Sequence, residues 1–277
     1  MKSIDTLQLF EDLNQELIYF LADLTPDDWQ QPTLLEGRSV KDVTSQIVFG
    51  SLRRISFQRD HFIADAGVSS QSVSVQPINI KRSSEEWMMA LRQISPRLLV
   101  EMLKKYEQEL FELLARLRSD EISTFNNDAS TQTQLPNWLD VAQVYAHKWL
   151  RQSLLRKAAG VNLLMSERFL HPWYETVLLS LPDHLTKVAA SYPDQTLEIE
   201  ISGEIRMRNR LQKSGSKWRF VESGNEAATT GIKIPASVGW LLFSGFDSEF
   251  QNHKAIIENH GDEALVQHVL HLRPAYL

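Results

Sequence analysis

The sequence predicts a two-domain α+β chain, with an up-and-down four-helix bundle over residues 1–165 and a small α+β domain with an antiparallel sheet over 166–277. Three observations carry this reading. Apolar residues recur at three- and four-residue spacing through four segments before Gly160, as amphipathic helices require. Beyond Leu170 the period falls to two, in TLEIEISG (196–203) and EIRMRNRL (204–211), as half-buried strands require. A chain of 277 residues, at about 150 residues per domain, suits two domains.

The first helix spans residues 4–24, with Leu7, Phe10, Leu17, Leu21 and Leu24 on one stripe and Asn14 in its one gap. Thr25-Pro26-Asp27-Asp28 then sets a cap residue, a proline at the first helical position and acids in the first turn, so a short helical turn anchored by Trp29 follows. Ser39 with Asp42 three residues on reads as a capping box. It opens a second helix to about Ala64, and the turn-rich segment 66–80 reads as loop. A third helix begins at Ser84 and is interrupted at Ser95-Pro96, because proline removes a backbone donor and clashes with the preceding turn. It continues through Leu99, Leu103, Tyr106, Leu110, Leu113 and Leu117, the seam of a bundle. Residues 119–136 form a long polar connection. Asn137 with Asp140 caps a fourth helix to about Ala159, ended by Gly160. In the second domain two alternating strands lead through a Ser-Gly turn to a third that carries Trp218 and Phe220. Pro235 to Phe246 reads as a helix opened by proline, 254–260 as a short strand, and Asp262 as the cap of a last helix through Leu265, Val269 and Leu272.

Composition mainly excludes. The chain has no cysteine, which rules out thiolate zinc fingers, iron–sulfur ligation, a cysteine nucleophile and disulfides. Its 29 basic and 35 acidic residues leave a net charge of −6, split evenly between residues 1–165 and 166–277, so nucleic acid is not the expected partner. No stretch approaches 18 apolar residues, and Asp5, Glu11 and Asp12 stand where a signal peptide needs an apolar run; no membrane is expected and the cytoplasm is the expected location. A serine elbow, a phosphate loop, a dinucleotide fingerprint and HExxH are all missing from the sequence.

The residues of chemical interest lie on the inner faces of helices two and four. Gln46 falls between Val43, Ile47 and Gly50, and a buried amide needs partners or costs roughly 1–3 kcal/mol. His147 and Arg151, four apart, share a face with Val144, Leu154 and Ala158. Facing polar residues of this kind are how bundles build cofactor and metal sites; the plainer reading is a buried hydrogen-bond network in which Arg151 pairs with a carboxylate. In the second domain Arg206, Arg208 and Arg210 line a strand face, followed by Lys213, Lys217 and Arg219. They could bind an acidic ligand, or form a solvated face paired with Glu198 and Glu200 across the hairpin. His61 reads as a surface residue, and His268 and His271 as structural.

These segments also resemble the mycothiol-dependent maleylpyruvate isomerase N-terminal domain, part of the DinB-like bundle group. The resemblance rests on Leu21 and Leu24, Asp28-Trp29, Pro32-Thr33, Gly37-Arg38-Ser39-Val40 and Asp42-Val43. In the fourth helix it rests on Trp149, Leu155-Arg156, Ala158 and Gly160, and later on Leu181-Pro182, a Trp-Leu-Leu helix near 240, and Gly261-Asp262 with Leu265. It implies a zinc or nickel ion inside the bundle and a low-molecular-weight thiol cofactor, used for transfer or isomerisation. The thiol would have to diffuse in, since the chain has none. The family's three ligand positions, carried over one by one, fall on Gln46, His147 and Arg151. His147 suits such a metal; an amide oxygen better suits calcium or magnesium. A guanidinium ~4 Å from a divalent cation at an effective dielectric of ~20 costs on the order of 8 kcal/mol, so the standard metal site is expected to be lost. Three readings stay open: a metal-binding enzyme with a rearranged site around His147, a site where His147 and Arg151 hold a small carboxylate or thiol ligand, and an interaction scaffold of the kind that forms a homodimer, whose Arg151 pairs with an acid such as Asp42 or Asp60.

Overall fold

The structure is a computed structural model and describes residues 3–62, 80–125, 135–222 and 227–274. The chain divides into two compact units, Met1–Leu163 and Leu164–Leu277, each taken here by itself.

The first unit is helical. A 3-10 turn at Leu7–Leu9 leads into α1 (Phe10–Ala22), whose inner stripe is Phe10, Leu13, Asn14, Leu17, Phe20 and Leu21. Trp29, 3% exposed, anchors the expected short turn at Asp28–Gln30. Helix α2 (Val40–Asp60) starts as predicted: the Ser39 hydroxyl accepts from the Asp42 amide, and the Asp42 carboxylate accepts from the Ser39 amide. It stops at Asp60, short of Ala64, because His61 turns left-handed with φ 55°. Most of the predicted loop at 66–80 lies outside the described residues; its last residue, Ile80, opens α3 (Ile80–Leu91), one turn before Ser84. Ser95-Pro96 ends that pattern outright rather than kinking it. The Ser95 hydroxyl caps a separate helix, α4 (Pro96–Ala115), with proline at its start. Its buried stripe is Leu99, Leu103, Glu107, Leu110 and Leu114. Tyr106, Leu113 and Leu117 are only half-buried, so the seam turns by about one residue and takes in a glutamate.

Helix α5 (Asn137–Ala158) is not capped as expected. The Asn137 amide donates to the Arg118 carbonyl instead, and the Asp140 carboxylate is held by Arg54 and Ser123. Gly160 ends the helical run in the left-handed conformation, φ 67°. Helix α1 packs on α4 and α5, and α2 packs on α4, α3 and α5.

The second unit opens on two helices where the sequence reading assigned nothing, α6 (Glu167–Leu178) and α7 (Leu181–Val188). Strands β1 (Thr196–Ser202), β2 (Met207–Ser214), β3 (Lys217–Val221), β4 (Thr230–Pro235) and β5 (Glu258–His260) form a sheet in the order β3-β2-β1-β4-β5. Leu197, Ile199 and Ile201 of β1 are fully buried, as the alternation predicted. The sheet is mixed: β4, which the sequence reading missed, runs parallel to β1, and the other pairings are antiparallel. Helices α8 (Ala236–Phe243), after Pro235, and α10 (Glu263–Leu270), capped by Asp262, stand where expected, with a short α9 (Asp247–Gln251) between them. No helix among the described residues is long and apolar enough to cross a membrane.

Candidate functional site

Two side-chain bridges tie α2 to α5. Arg151 Nη1 donates to Gln46 Oε1 at 3.0 Å. Arg54 makes a two-pronged pair with Asp140, Nη1 to Oδ1 at 2.9 Å and Nη2 to Oδ2 at 2.5 Å. Residue numbers rise along one helix as they fall along the other, so the two faces run antiparallel. Gln46, Gly50 and Arg54 share a face of α2 at four-residue spacing, as Asp140, Val144, His147 and Arg151 do on α5. Midway between the bridges, Gly50 is therefore level with Val144 and His147.

The Gln46 amide nitrogen faces Met88 Sδ at 3.3 Å, so both ends of the amide are engaged. Arg151 finds no acid in this set. Asp42 is taken by Arg92, at 2.8 and 3.0 Å, and Asp60 by Arg59. The expectation that Arg151 pairs with one of these two acids is thus corrected: each carboxylate has a closer arginine. Burial alone lowers the Arg151 guanidinium from its ordinary value, and a neutral amide offsets little of that.

His147 is exposed by surface area, yet the protein around it dominates its titration: burial first, then the Arg151 charge, push the imidazole down to about 4. The ring edge meets solvent while protein at longer range, and the Arg151 charge, disfavour its protonated form. The ring is neutral at pH 7, with one nitrogen free to donate and the other to accept.

Beside this pair lies a cluster that sequence reasoning missed. Glu107 of α4 accepts from Ser51 Oγ at 2.5 Å and is in contact with the Lys148 ammonium, all three residues being buried. The signal was present as an acid in an apolar stripe of α4. Burial, then Arg151, push Lys148 down to about 7, while the touching carboxylate of Glu107 works the other way. Counting formal charges, Lys148 and Arg151 stand against one carboxylate, so this part of the bundle holds one positive charge in excess. A separate cleft of about 430 Å³ at the start of α2 is lined by Arg38, Lys41, Asp42 and Arg92. Its groups are bonded to one another and to Glu85.

No family model matches the chain, and no curated protein sequence matches it. Among solved structures, the crystal structure of the mycothiol-dependent maleylpyruvate isomerase aligns with a TM-score of 0.54 and 9% identity, covering 87% of this chain and 91% of that one. A point mutant of the same enzyme aligns over the same shares with a TM-score of 0.52 and 9% identity. Neither unit alone could supply that coverage. The chain has the fold of mycothiol-dependent maleylpyruvate isomerase. At 9% identity the likeness concerns fold and leaves activity open.

The resemblance read in the sequence implies a metal at the position of Gln46, His147 and Arg151, and the residues present do not fit one. The set offers one imidazole and one amide oxygen, and that oxygen already accepts from a guanidinium. Among the described residues no group of three His, Cys, Asp or Glu side chains comes close enough to hold a metal ion.

The three arginines of the second unit's β1–β2 hairpin differ in their surroundings. Arg206 is exposed and precedes β2. Arg208 bonds Glu200 at 2.7 Å and lies 3.5 Å from Glu198. Arg210 is buried at 8% exposure, opposite Glu198 in the β1–β2 register.

Proposed function

We propose that this chain is a small-carboxylate-binding protein built on the maleylpyruvate isomerase fold, in which a guanidinium has replaced the metal centre. The single observation that carries this reading is the half-buried Arg151 guanidinium, which bridges α2 and α5 by bonding the neutral Gln46 amide and meets no carboxylate among the described residues. A partly desolvated charge without a counter-ion favours a ligand with one negative charge. Arginine's planar fork suits a carboxylate, and the N–H groups not used on Gln46 remain for it. The neutral His147 ring supplies one more donor on the same helix face. Metal-dependent thiol transfer is not the activity these residues support, nor is a rearranged metal site around His147.

Metal analysis of tag-free protein purified without chelators, followed by a thermal-shift screen with acetate and other small carboxylates, tests this. The expected result is less than a tenth of an equivalent of zinc or nickel per chain (about 0.1 or below), with stabilisation by carboxylate that disappears in Arg151→Ala. At a hundredfold excess over Kd the stabilisation should reach about 2.7 kcal/mol. One equivalent of zinc or nickel per chain would overturn the proposal, and a flat carboxylate screen would favour the scaffold reading instead.

A further inference from the structure

The cleft of about 430 Å³ in the first unit is lined by none of Gln46, His147 and Arg151. Three cations meet there from three parts of the chain. Arg38 comes from the loop before α2, Lys41 from α2 itself and Arg92 from just beyond α3. Like charges gathered at one cleft repel each other, so each needs a partner.

Two of them have one. Arg92 is fixed by Asp42, Nε to Oδ1 at 2.8 Å and Nη2 to Oδ2 at 3.0 Å, and Arg38 meets Glu85 through one nitrogen. Lys41 differs. Its ammonium donates to the backbone carbonyl of Arg92 at 2.8 Å, a neutral acceptor, and it pairs with no carboxylate among the described residues. Asp42, the one acid in the lining, cannot serve it. That carboxylate already accepts from the Ser39 amide and hydroxyl and from two nitrogens of Arg92, which fills its roughly four lone-pair sites. The cleft thus sets three positive charges against the carboxylates of Asp42 and Glu85, and the uncompensated one is on Lys41.

We infer that this cleft is a second ligand site, in which Lys41 and the N–H groups of Arg38 and Arg92 left over from their acids hold a phosphate monoester. A planar carboxylate is matched by a single guanidinium fork, whereas three separate cations match the three terminal oxygens of a phosphoryl group. The volume lies within the roughly 300–1,000 Å³ of small-molecule sites, so an organic group has room beside the phosphate. Gln30, exposed on the same wall, offers its amide to a hydroxylated one. The inference is independent of the carboxylate reading of Arg151.

The test is isothermal titration of the full-length protein with inorganic phosphate, ribose 5-phosphate and free ribose. Ionic strength is held constant at about pH 8, where the monoester is a dianion. Wild type should bind phosphate and, at least as tightly, ribose 5-phosphate, and leave ribose unbound. Lys41→Ala and Lys41→Gln should each weaken both phosphates about tenfold, and Arg38→Ala about fivefold. The glutamine variant keeps a donor for the Arg92 carbonyl and removes only the charge, so a purely structural lysine would leave it like wild type. Arg151→Ala should bind phosphate as wild type does. Failure of wild type to bind ribose 5-phosphate, or unchanged binding in Lys41→Gln, overturns the inference and leaves the Arg151 reading standing. Loss of phosphate binding in Arg151→Ala also overturns it, by moving the phosphate to the other site.

Discussion

Arg151 donates to the amide oxygen of Gln46 at 3.0 Å, whereas eight residues along α2 Arg54 meets the carboxylate of Asp140 with both of its terminal nitrogens. The two guanidiniums bridge the same pair of helices in opposite senses, and only one is neutralised. Removing them should therefore have unequal consequences. Arg54→Met leaves the buried Asp140 carboxylate without its guanidinium while Ser123 still bonds it, and breaking such a pair costs about 3–5 kcal/mol. Arg151→Met orphans a neutral oxygen at roughly 1–3 kcal/mol but removes a half-buried charge that meets no carboxylate among the described residues. The two effects oppose each other, so the net change should stay within about 1 kcal/mol of neutral. Urea unfolding in carboxylate-free buffer measures both, and a loss above about 3 kcal/mol in Arg151→Met would mean that the guanidinium is compensated after all.

His147 should make the protein acid-sensitive in a defined window. The unfolded chain titrates its imidazole at the ordinary 6.5, and the folded protein holds it down to about 4. Between these values the unfolded state binds more protons, so stability falls as pH drops from 6.5 towards 4 and is unaffected by this group above 6.5. Subtracting the pH–stability profile of His147→Gln from that of wild type isolates the contribution from the carboxylates that titrate in the same range. The difference should appear only below about 6.5, and NMR titration of the ring should show its midpoint well under that of a free imidazole. An imidazole that titrates near 6.5 would mean that neither burial nor the Arg151 charge governs it.

Local signals in the sequence translated directly into structure, and signals that depend on distant partners did not. The Ser39–Asp42 box, the Asp262 cap and the proline at Pro96 each act within one turn, so spacing alone locates them. Asp140 has the type and spacing of a cap partner, but Arg54, 86 residues away, claims it. Strand β4 lacks alternation because it is buried almost throughout, with partners on both sides, and a parallel strand covered on both faces loses its period-two signature. Helix α6 was legible in principle from Phe169, Leu170, Trp173, Tyr174, Val177 and Leu178, a helical repeat, but Pro172 within it reads as a breaker. At the site, i,i+4 geometry placed His147 and Arg151 on one face and Gln46 opposite. The absence of an acid for Arg151 was not legible, since it depends on Arg92 and Arg59 reaching Asp42 and Asp60 first.

The Glu107–Lys148 contact should behave as a closed unit. Lys148→Met strands a carboxylate that is 2% exposed with Ser51 as its other partner, and the cost should be about 3–5 kcal/mol. Adding Glu107→Leu to the same chain removes the stranded charge and should recover most of that loss, because a buried pair replaced by apolar groups of similar volume is often neutral. A double-mutant cycle by denaturant unfolding gives the coupling energy directly. A coupling near zero would mean that the two groups do not share the contact in solution.

The arginine stripe of β2 should separate by burial, although its members share a residue type. Arg208 is 55% exposed and faces Glu198 and Glu200, so Arg208→Ala should leave stability nearly unchanged, and high salt should shrink even that small effect. Arg210, only two residues on, is 8% exposed. Truncating this buried side chain in Arg210→Ala should cost about 1–3 kcal/mol. If the stripe were an anion site, Arg206→Ala and Arg208→Ala would weaken acetate binding. On the reading advanced here both variants keep the wild-type titration curve and Arg151→Ala loses it, a comparison that a single set of thermal-shift plates decides.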